Sequence, residues 1–218
     1  MNKTIISSFA LAALIAAGSP STAAAAEDSF LFGAPQRGQV FGSLGYSGTP
    51  RIGYMTGLNP TTAIGGEFIL DIGQFYNTQS FVPGNRIFVG AAVPIKLLLS
   101  EEDKLTFALT VAPGIGAQII TGGATQFGIL MHGAVNVGYK ASKQFTIGGG
   151  IDVPLSLHFG DFTNVAIPIL LGPAAEFRVT RDLTLRSELK LGPHITAADF
   201  GGGANLGLKF NIGVNYAF

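Results

Sequence analysis

From Gly38 onward, large apolar residues recur at every second position. Phe210, Ile212, Val214, Tyr216 and Phe218 alternate with Asn211, Gly213, Asn215 and Ala217. A period of two puts the five large side chains on one face of a strand and the small or polar ones on the other. Leu105, Phe107, Leu109 and Val111 alternate in the same way with Lys104, Thr106, Ala108 and Thr110, and Leu183, Leu185, Leu189 and Leu191 with Thr184, Arg186, Glu188 and Lys190. Turn-forming residues divide the chain into ten expected strands: Gln39–Tyr46, Arg51–Leu58, Thr62–Ile72, Arg86–Leu99, Lys104–Gln118, Gln126–Lys140, Gln144–Leu157, Val165–Thr180, Leu183–Pro193 and Ala204–Phe218. The connections alternate between short polar turns, such as Ala141-Ser142-Lys143 and Arg181-Asp182, and longer stretches at Gln74–Asn85, Ile119–Thr125, His158–Asn164 and His194–Gly203.

Composition decides what kind of strand protein this is. The 218 residues are 47% hydrophobic and only 12% charged, with 31 glycines and neither cysteine nor tryptophan. A water-soluble domain carries roughly a quarter charged residues, and the apolar faces here are too many and too large for one soluble core. Beyond the N-terminus no apolar run is long enough for a membrane helix, so the expected class is all-β, a closed antiparallel transmembrane up-and-down β-barrel. Closure is required because hydrocarbon offers no partner to an open sheet edge. Ten strands are expected, and eight if Gln39–Tyr46 and Arg51–Leu58 pair elsewhere or plug the lumen. The 13 basic and 13 acidic residues balance without long runs of one sign, which gives no nucleic-acid footprint.

The N-terminus reads as an address. Lys3, the apolar stretch Ile5 to Ala17 and the small residues Ala24-Ala25-Ala26 follow the order of a secretory signal peptide, residues 1–26. Residues 27–37, with Gly33, Pro35 and no periodicity, read as a periplasmic N-terminal tail, and 38–218 as the barrel.

The alternating run Phe210, Ile212, Val214, Tyr216 and Phe218 resembles the C-terminal insertion signal of Gram-negative outer-membrane barrels. The barrel as a whole looks like a small one of the general OmpA/OmpX kind. That resemblance implies a bacterial outer-membrane location, outer-membrane lipid as the surroundings and the barrel-assembly machinery as a partner during insertion. With no tryptophan, Tyr54, Phe107, Tyr139, Phe145, Phe177 and Tyr216 are left to fill the aromatic girdle.

Parity then sorts the interior. It assigns to the lumen a charge cluster of Glu176, Arg178, Arg186, Glu188, Lys190 and Lys209, further polar residues Glu67, Asp71, Arg86, Lys96, His132 and Asp152, and also Lys104, Lys140, Asn136, Asn211 and Asn215. Mixed signs are expected to pair into a plug or to line a narrow passive channel. The small inward residues, among them Gly65, Gly90, Ala92, Ala112, Gly116, Gly128 and Gly148, cannot fill a ten-strand interior alone. They either shape its curvature or line space for water or a small apolar ligand. Pro113, Pro154, Pro168 and Pro193 fall near the outer rim, where strands are expected to end; the alternative is a lateral gap between strands. Two His–Asp pairs, His158 with Asp161 and His194 with Asp199, fall in expected outer loops without the tight spacing a catalytic or metal site needs. The sequence therefore supports a structural or porin-like passive-channel protein without catalysis, cofactor or metal. The alternative is a carrier or binder of small apolar molecules with lateral exit to the membrane.

Overall fold

The computed structural model describes residues 29–45, 48–72, 86–102, 104–120, 125–161, 163–199 and 201–218, with the side chains of 48–49, 71–72, 86 and 120 left aside. The proposed signal peptide lies outside the described residues.

Twelve strands form one antiparallel sheet: β1 (Gln39–Gly45), β2 (Gly48–Asn59), β3 (Thr62–Ile72), β4 (Arg86–Ala92), β5 (Ile95–Glu102), β6 (Leu105–Ile120), β7 (Thr125–Lys140), β8 (Phe145–Gly160), β9 (Asn164–Pro168), β10 (Leu170–Arg178), β11 (Leu183–Ala198) and β12 (Gly201–Ala217). They make ten staves, because β4 and β5 lie end to end between β3 and β6, and β9 and β10 lie end to end between β8 and β11. Proline marks both breaks: it has no N–H for the ladder, and Pro94 follows β4 while Pro168 ends β9. Neighbouring bonds hold the staves in place across the breaks, Val93 N donating to Pro113 O at 2.9 Å and Ile169 N to Pro193 O at 2.8 Å.

The first strand pair belongs to the barrel. β1 pairs with β12, from Gln39↔Ala217 to Leu44↔Ile212, and so closes a ten-stave barrel with no helix among the described residues. The paired row leaving Gly213 for Ser43 runs through Arg51, Ile69, Gly90, Gly116, Gly128, His158, Asn164 and Ala198 and returns to β12 at Gly201. That stagger of twelve residues along β12 is the shear that tilts strands in a closed barrel.

Parity holds on both faces. Phe107, Leu171, Leu189, Phe210, Ile212 and Phe218 are exposed on the outside, with Val214 and Tyr216 half-buried beside them, whereas Thr106, Ala108, Thr110 and Ala112 on β6 are buried inside. The aromatic residues expected at the membrane boundary gather near the short-turn end. Tyr139, Phe145 and Phe177 flank the turns at 141–144 and 179–182, and Tyr54 stacks on Phe218 with centroids 6.1 Å apart.

Three expectations change. Three of the four rim prolines do not end a strand: β11, expected to stop at Pro193, continues to Ala198, and β6 and β8 run past Pro113 and Pro154 to Ile120 and Gly160, because these prolines leave the pairing with the opposite neighbour intact. Most of the long connection expected at His194–Gly203 is strand, β11 running to Ala198 and β12 starting at Gly201, whose φ of 139° is a conformation glycine tolerates. His158 and His194 consequently sit in strands rather than in loops.

Candidate functional site

The lumen has three layers. The layer at the short-turn end is made by residues expected to form a free tail. Phe30, Leu31, Phe32 and Ala34 are buried, and Phe32 is fully enclosed (0% exposed). Three consecutive bulky apolar residues next to an empty barrel mouth gain more by entering it than by remaining in water, about 1.5–3 kcal/mol each.

Polar groups of the wall grip this segment. Glu176 on β10 accepts from Ser29 Oγ and from the Leu31 N–H, each at 2.5 Å. Lys96 on β5 donates to the Phe30 carbonyl, and Asn136 on β7 donates to the Leu31 carbonyl at 3.3 Å. The Arg186 guanidinium lies 4.2 Å from the centroid of the Phe30 ring, which also meets the Phe41 ring at 4.8 Å. At the rim Arg37 pairs with Asp182 at 2.8 Å. Small wall residues make room: a Cβ on Gly138 would stand 2.6 Å from Phe32 Cγ, and one on Gly148 would stand 2.9 Å from the same ring. Part of the small-residue surface expected to face water or ligand thus receives the plug. Gly90 and Gly116 make the same allowance for Phe88, and Gly128 for His158.

Above the plug lies a closed ring of opposite charges. Asp152 on β8 contacts Lys190 at 2.5 Å and Lys209 at 2.6 Å, and Glu188 on β11 contacts the same two lysines at 3.3 and 3.2 Å. Two carboxylates and two ammoniums alternate around the ring, the arrangement in which buried charge is tolerated. Lys190 is completely buried and also donates to Asn136 Oδ1 at 3.2 Å; His132 Nε2 lies 3.7 Å from Asp152. Arg51 pairs with Glu67 at 3.0 Å across β2 and β3.

Of the residues assigned to the lumen by parity, Glu67, Lys96, His132, Asp152, Glu176, Arg186, Glu188, Lys190 and Lys209 are brought together there. Arg178 sits at the short-turn rim beside Thr184 and Asp182. Lys140 pairs with Glu101 at the same rim, at 2.5 Å. Lys104 is exposed in the β5–β6 turn, 5.9 Å from the Tyr139 ring, because the turn frees it from strand parity. The backbones of Asp71 and Arg86 pair within β3 and β4, and their side chains lie outside the described residues.

The third layer is space. A cavity of about 510 Å³ lies over the charged ring and is lined by Ser43, Arg51, Lys209, Asn211, His132 and Arg186 among others. A neighbouring cavity of about 150 Å³ towards the loop end is more apolar, with Ile69, Phe88, Ala92, Ala112 and Leu130 in its wall. The two share Arg51, Glu67, His132, Pro154, Pro168 and His194 as lining. Three buried polar atoms at or beside the larger cavity lack hydrogen-bond partners among the described residues: Ser43 Oγ, Arg186 Nε and Asn211 Oδ1. Ser43 and Arg186 both pair with Gly213, and Asn211 lies two residues along β12, so the three converge on one patch of wall. Among the described residues no group of histidines and carboxylates is placed to hold a metal ion.

Sequence reasoning missed the plug, Ser43 and Arg51. Phe30-Leu31-Phe32 was the available clue, since a solvated tail has no use for three bulky apolar residues in a row. Ser43 and Arg51 fell in the glycine-rich first strand pair, where the alternation is weakest.

No protein-family model matches the chain, and no curated protein matches it. Among solved structures, the outer membrane protease OmpT from Escherichia coli is similar at 12% identity and a TM-score of 0.42, over 84% of this chain and 93% of that one.

Proposed function

We propose that this chain is a plugged outer-membrane barrel that binds a small ligand with an anionic head in its lumen, reached from the loop end. The apolar outer face, the aromatic belt and the export pattern of residues 1–26 support the outer-membrane location. Assembly by the barrel-assembly machinery belongs to the same reading, with the outward row Phe210, Ile212, Val214, Tyr216 and Phe218 on β12 as the surface offered to it. The plug argues against a freely open passive channel, which would need Phe30 to Pro35 to leave the lumen.

One observation carries the binding site: a cavity of about 510 Å³ whose wall includes Ser43, Arg186 and Asn211, each with a buried polar atom that has no hydrogen-bond partner among the described residues. The large majority of buried side-chain polar atoms are paired, and three unpaired ones in neighbouring wall residues of one cavity favour an occupant that accepts and donates hydrogen bonds there. The head is anionic because Arg186 stands over aromatic rings with no carboxylate in ion-pair contact among the described residues, whereas Lys190, Lys209 and Arg51 are already neutralised by partners.

The chain's lack of tryptophan makes a single introduced one a clean reporter. With Leu130→Trp in the cavity wall, 6-bromohexanoate, which stays largely in water, quenches saturably. Arg186→Gln weakens that binding about tenfold or more and Ser43→Ala several-fold, as expected for a charge-assisted and a neutral hydrogen bond. Linear, unsaturable quenching identical in all three proteins refutes the site.

A further inference from the structure

We infer that the ligand carries an apolar tail and passes between lumen and membrane sideways, through a seam between β8 and the β9–β10 stave. The inference rests on the lumen binding reading above and adds the route and the second half of the ligand's chemistry.

The seam is written in the pairing register. β8 pairs with β10 as far as Asp152↔Leu170 and with β9 from Ser156↔Ala166, and these two pairs set Pro154 opposite Pro168. The Ile169 N–H points the other way, to Pro193 O on β11 at 2.8 Å. Adjacent residues of a strand direct their N–H groups to opposite sides, so the nitrogen of Pro168 faces β8. In an antiparallel ladder that makes 154 and 168 a pair due to exchange two N–H···O bonds. Both nitrogens belong to prolines and neither bond can form.

The result is a stretch from Asp152/Leu170 to Ser156/Ala166, four residues or about 13 Å of strand, without a ladder bond. The other edge of the same stave keeps its register, Ile167 pairing with Ile195, Pro168 with His194 and Leu171 with Leu191, and loses there only the single bonds that the nitrogens of Pro193 and Pro173 cannot make. One wall of the stave is anchored and the other is loose, which is the mechanical requirement for a gate. Proline in a strand interior is otherwise avoided, and here two occupy facing positions.

The apolar cavity lies directly behind the gap. Pro154, Leu155 and Ser156 from one side of the seam and Ala166 and Pro168 from the other line its wall, together with Phe88 and with Leu130 on β7, which pairs with Ser156. Outside, Ile151, Ile169 and Leu171 present an exposed apolar surface around the gap. A tail that enters here moves from hydrocarbon to an apolar pocket without meeting water, while its anionic head reaches Arg186 and Ser43.

Long-chain 11-bromoundecanoate supplied in phosphatidylcholine vesicles tests the route, with the Leu130→Trp barrel reconstituted in the same bilayer and quenching followed by stopped flow. Two variants close the seam differently: Pro154→Ala with Pro168→Ala restores both N–H donors, and Pro154→Cys with Pro168→Cys ties the strands by a disulfide that reductant releases. Each rate is referred to that protein's own affinity for 6-bromohexanoate. Slowing of at least tenfold in both closed barrels, reversed by reductant in the second, is the expected result. Equal rates in open and closed barrels, or no arrival of the long-chain acid in a barrel that binds 6-bromohexanoate, overturns the seam alone. Absence of 6-bromohexanoate binding overturns the lumen site, and the seam's role with it.

Discussion

Gly138→Ala evicts the plug. The added Cβ would lie 2.6 Å from Phe32 Cγ, 2.7 Å from Phe32 Cβ and 2.9 Å from Thr106 Oγ1. Non-bonded carbon atoms rest about 3.5–4.0 Å apart, so roughly an ångström is missing on both carbons at the root of the Phe32 side chain. Rotation of the ring cannot relieve a clash at its own Cβ, and no wall backbone atom is among the three nearest neighbours, so the strand pairing is spared. Phe32 must move out, and losing a fully buried phenylalanine costs about 3–5 kcal/mol in cores. A loss of about 3 kcal/mol lowers the docked-to-undocked ratio of the plug by roughly two powers of ten. Two assays read this on the reconstituted barrel: planar-bilayer conductance, and the rate of trypsin cleavage after Arg37, whose side chain is held at the rim by Asp182 while the segment is docked. Openings and cleavage both rise about a hundredfold in Gly138→Ala, and Phe32→Ala combined with Gly138→Ala adds little further, since the two substitutions remove the same contact. A Gly138→Ala barrel as silent and as slowly cleaved as the parent, with Phe32→Ala equally inert, refutes the claim that Phe32 holds the plug.

Other parts of the molecule make separate demands. Glu176→Gln removes the charge that holds Ser29 and the Leu31 N–H, and charge-assisted bonds of this type contribute about 1.5–3 kcal/mol each; cleavage after Arg37 therefore accelerates about tenfold or more, and an unchanged rate removes Glu176 from the latch. Asp152→Asn leaves Lys190 and Lys209 sharing one carboxylate in the barrel interior, a loss of about 3–5 kcal/mol visible as a lower heat-modification temperature on gels, partly restored by adding Lys209→Gln. Leu109→Arg puts a charge on the outer face, where the cost at mid-membrane is about 2–4 kcal/mol; insertion into vesicles fails, and normal insertion would reverse the assignment of inner and outer faces.

The barrel was readable because period-two alternation in ten places has one geometric meaning, and parity located Asp152, Glu188, Lys190 and Lys209 without any knowledge of which touches which. Partners were not readable, because the contacts of Asp152 come from β11 and β12, set by a stagger that no single strand encodes. The strand ends beyond Pro113, Pro154 and Pro193 were misjudged for a related reason: proline removes one bond on one side, and the sequence does not say which neighbour loses it. The plug escaped because its stability lies in the fit of Phe32 to Gly138 and Gly148, more than a hundred residues away. A short irregular segment carries no periodicity of its own.

The separation between the plug and its grips also bears on the order in which the molecule is made. Ser29 and Leu31 reach Glu176 across 147 and 145 positions of sequence, and Leu31 reaches Asn136 across 105. Contacts of such high order form late, because the chain between them must first be organised. The plug's binding surface does not exist until β5, β7, β10 and β11 have all taken their places in the wall, so the segment synthesised ahead of the barrel docks only after most of the barrel has formed. Until then the nascent barrel has an open end, which is closed by docking and not by a strand pairing.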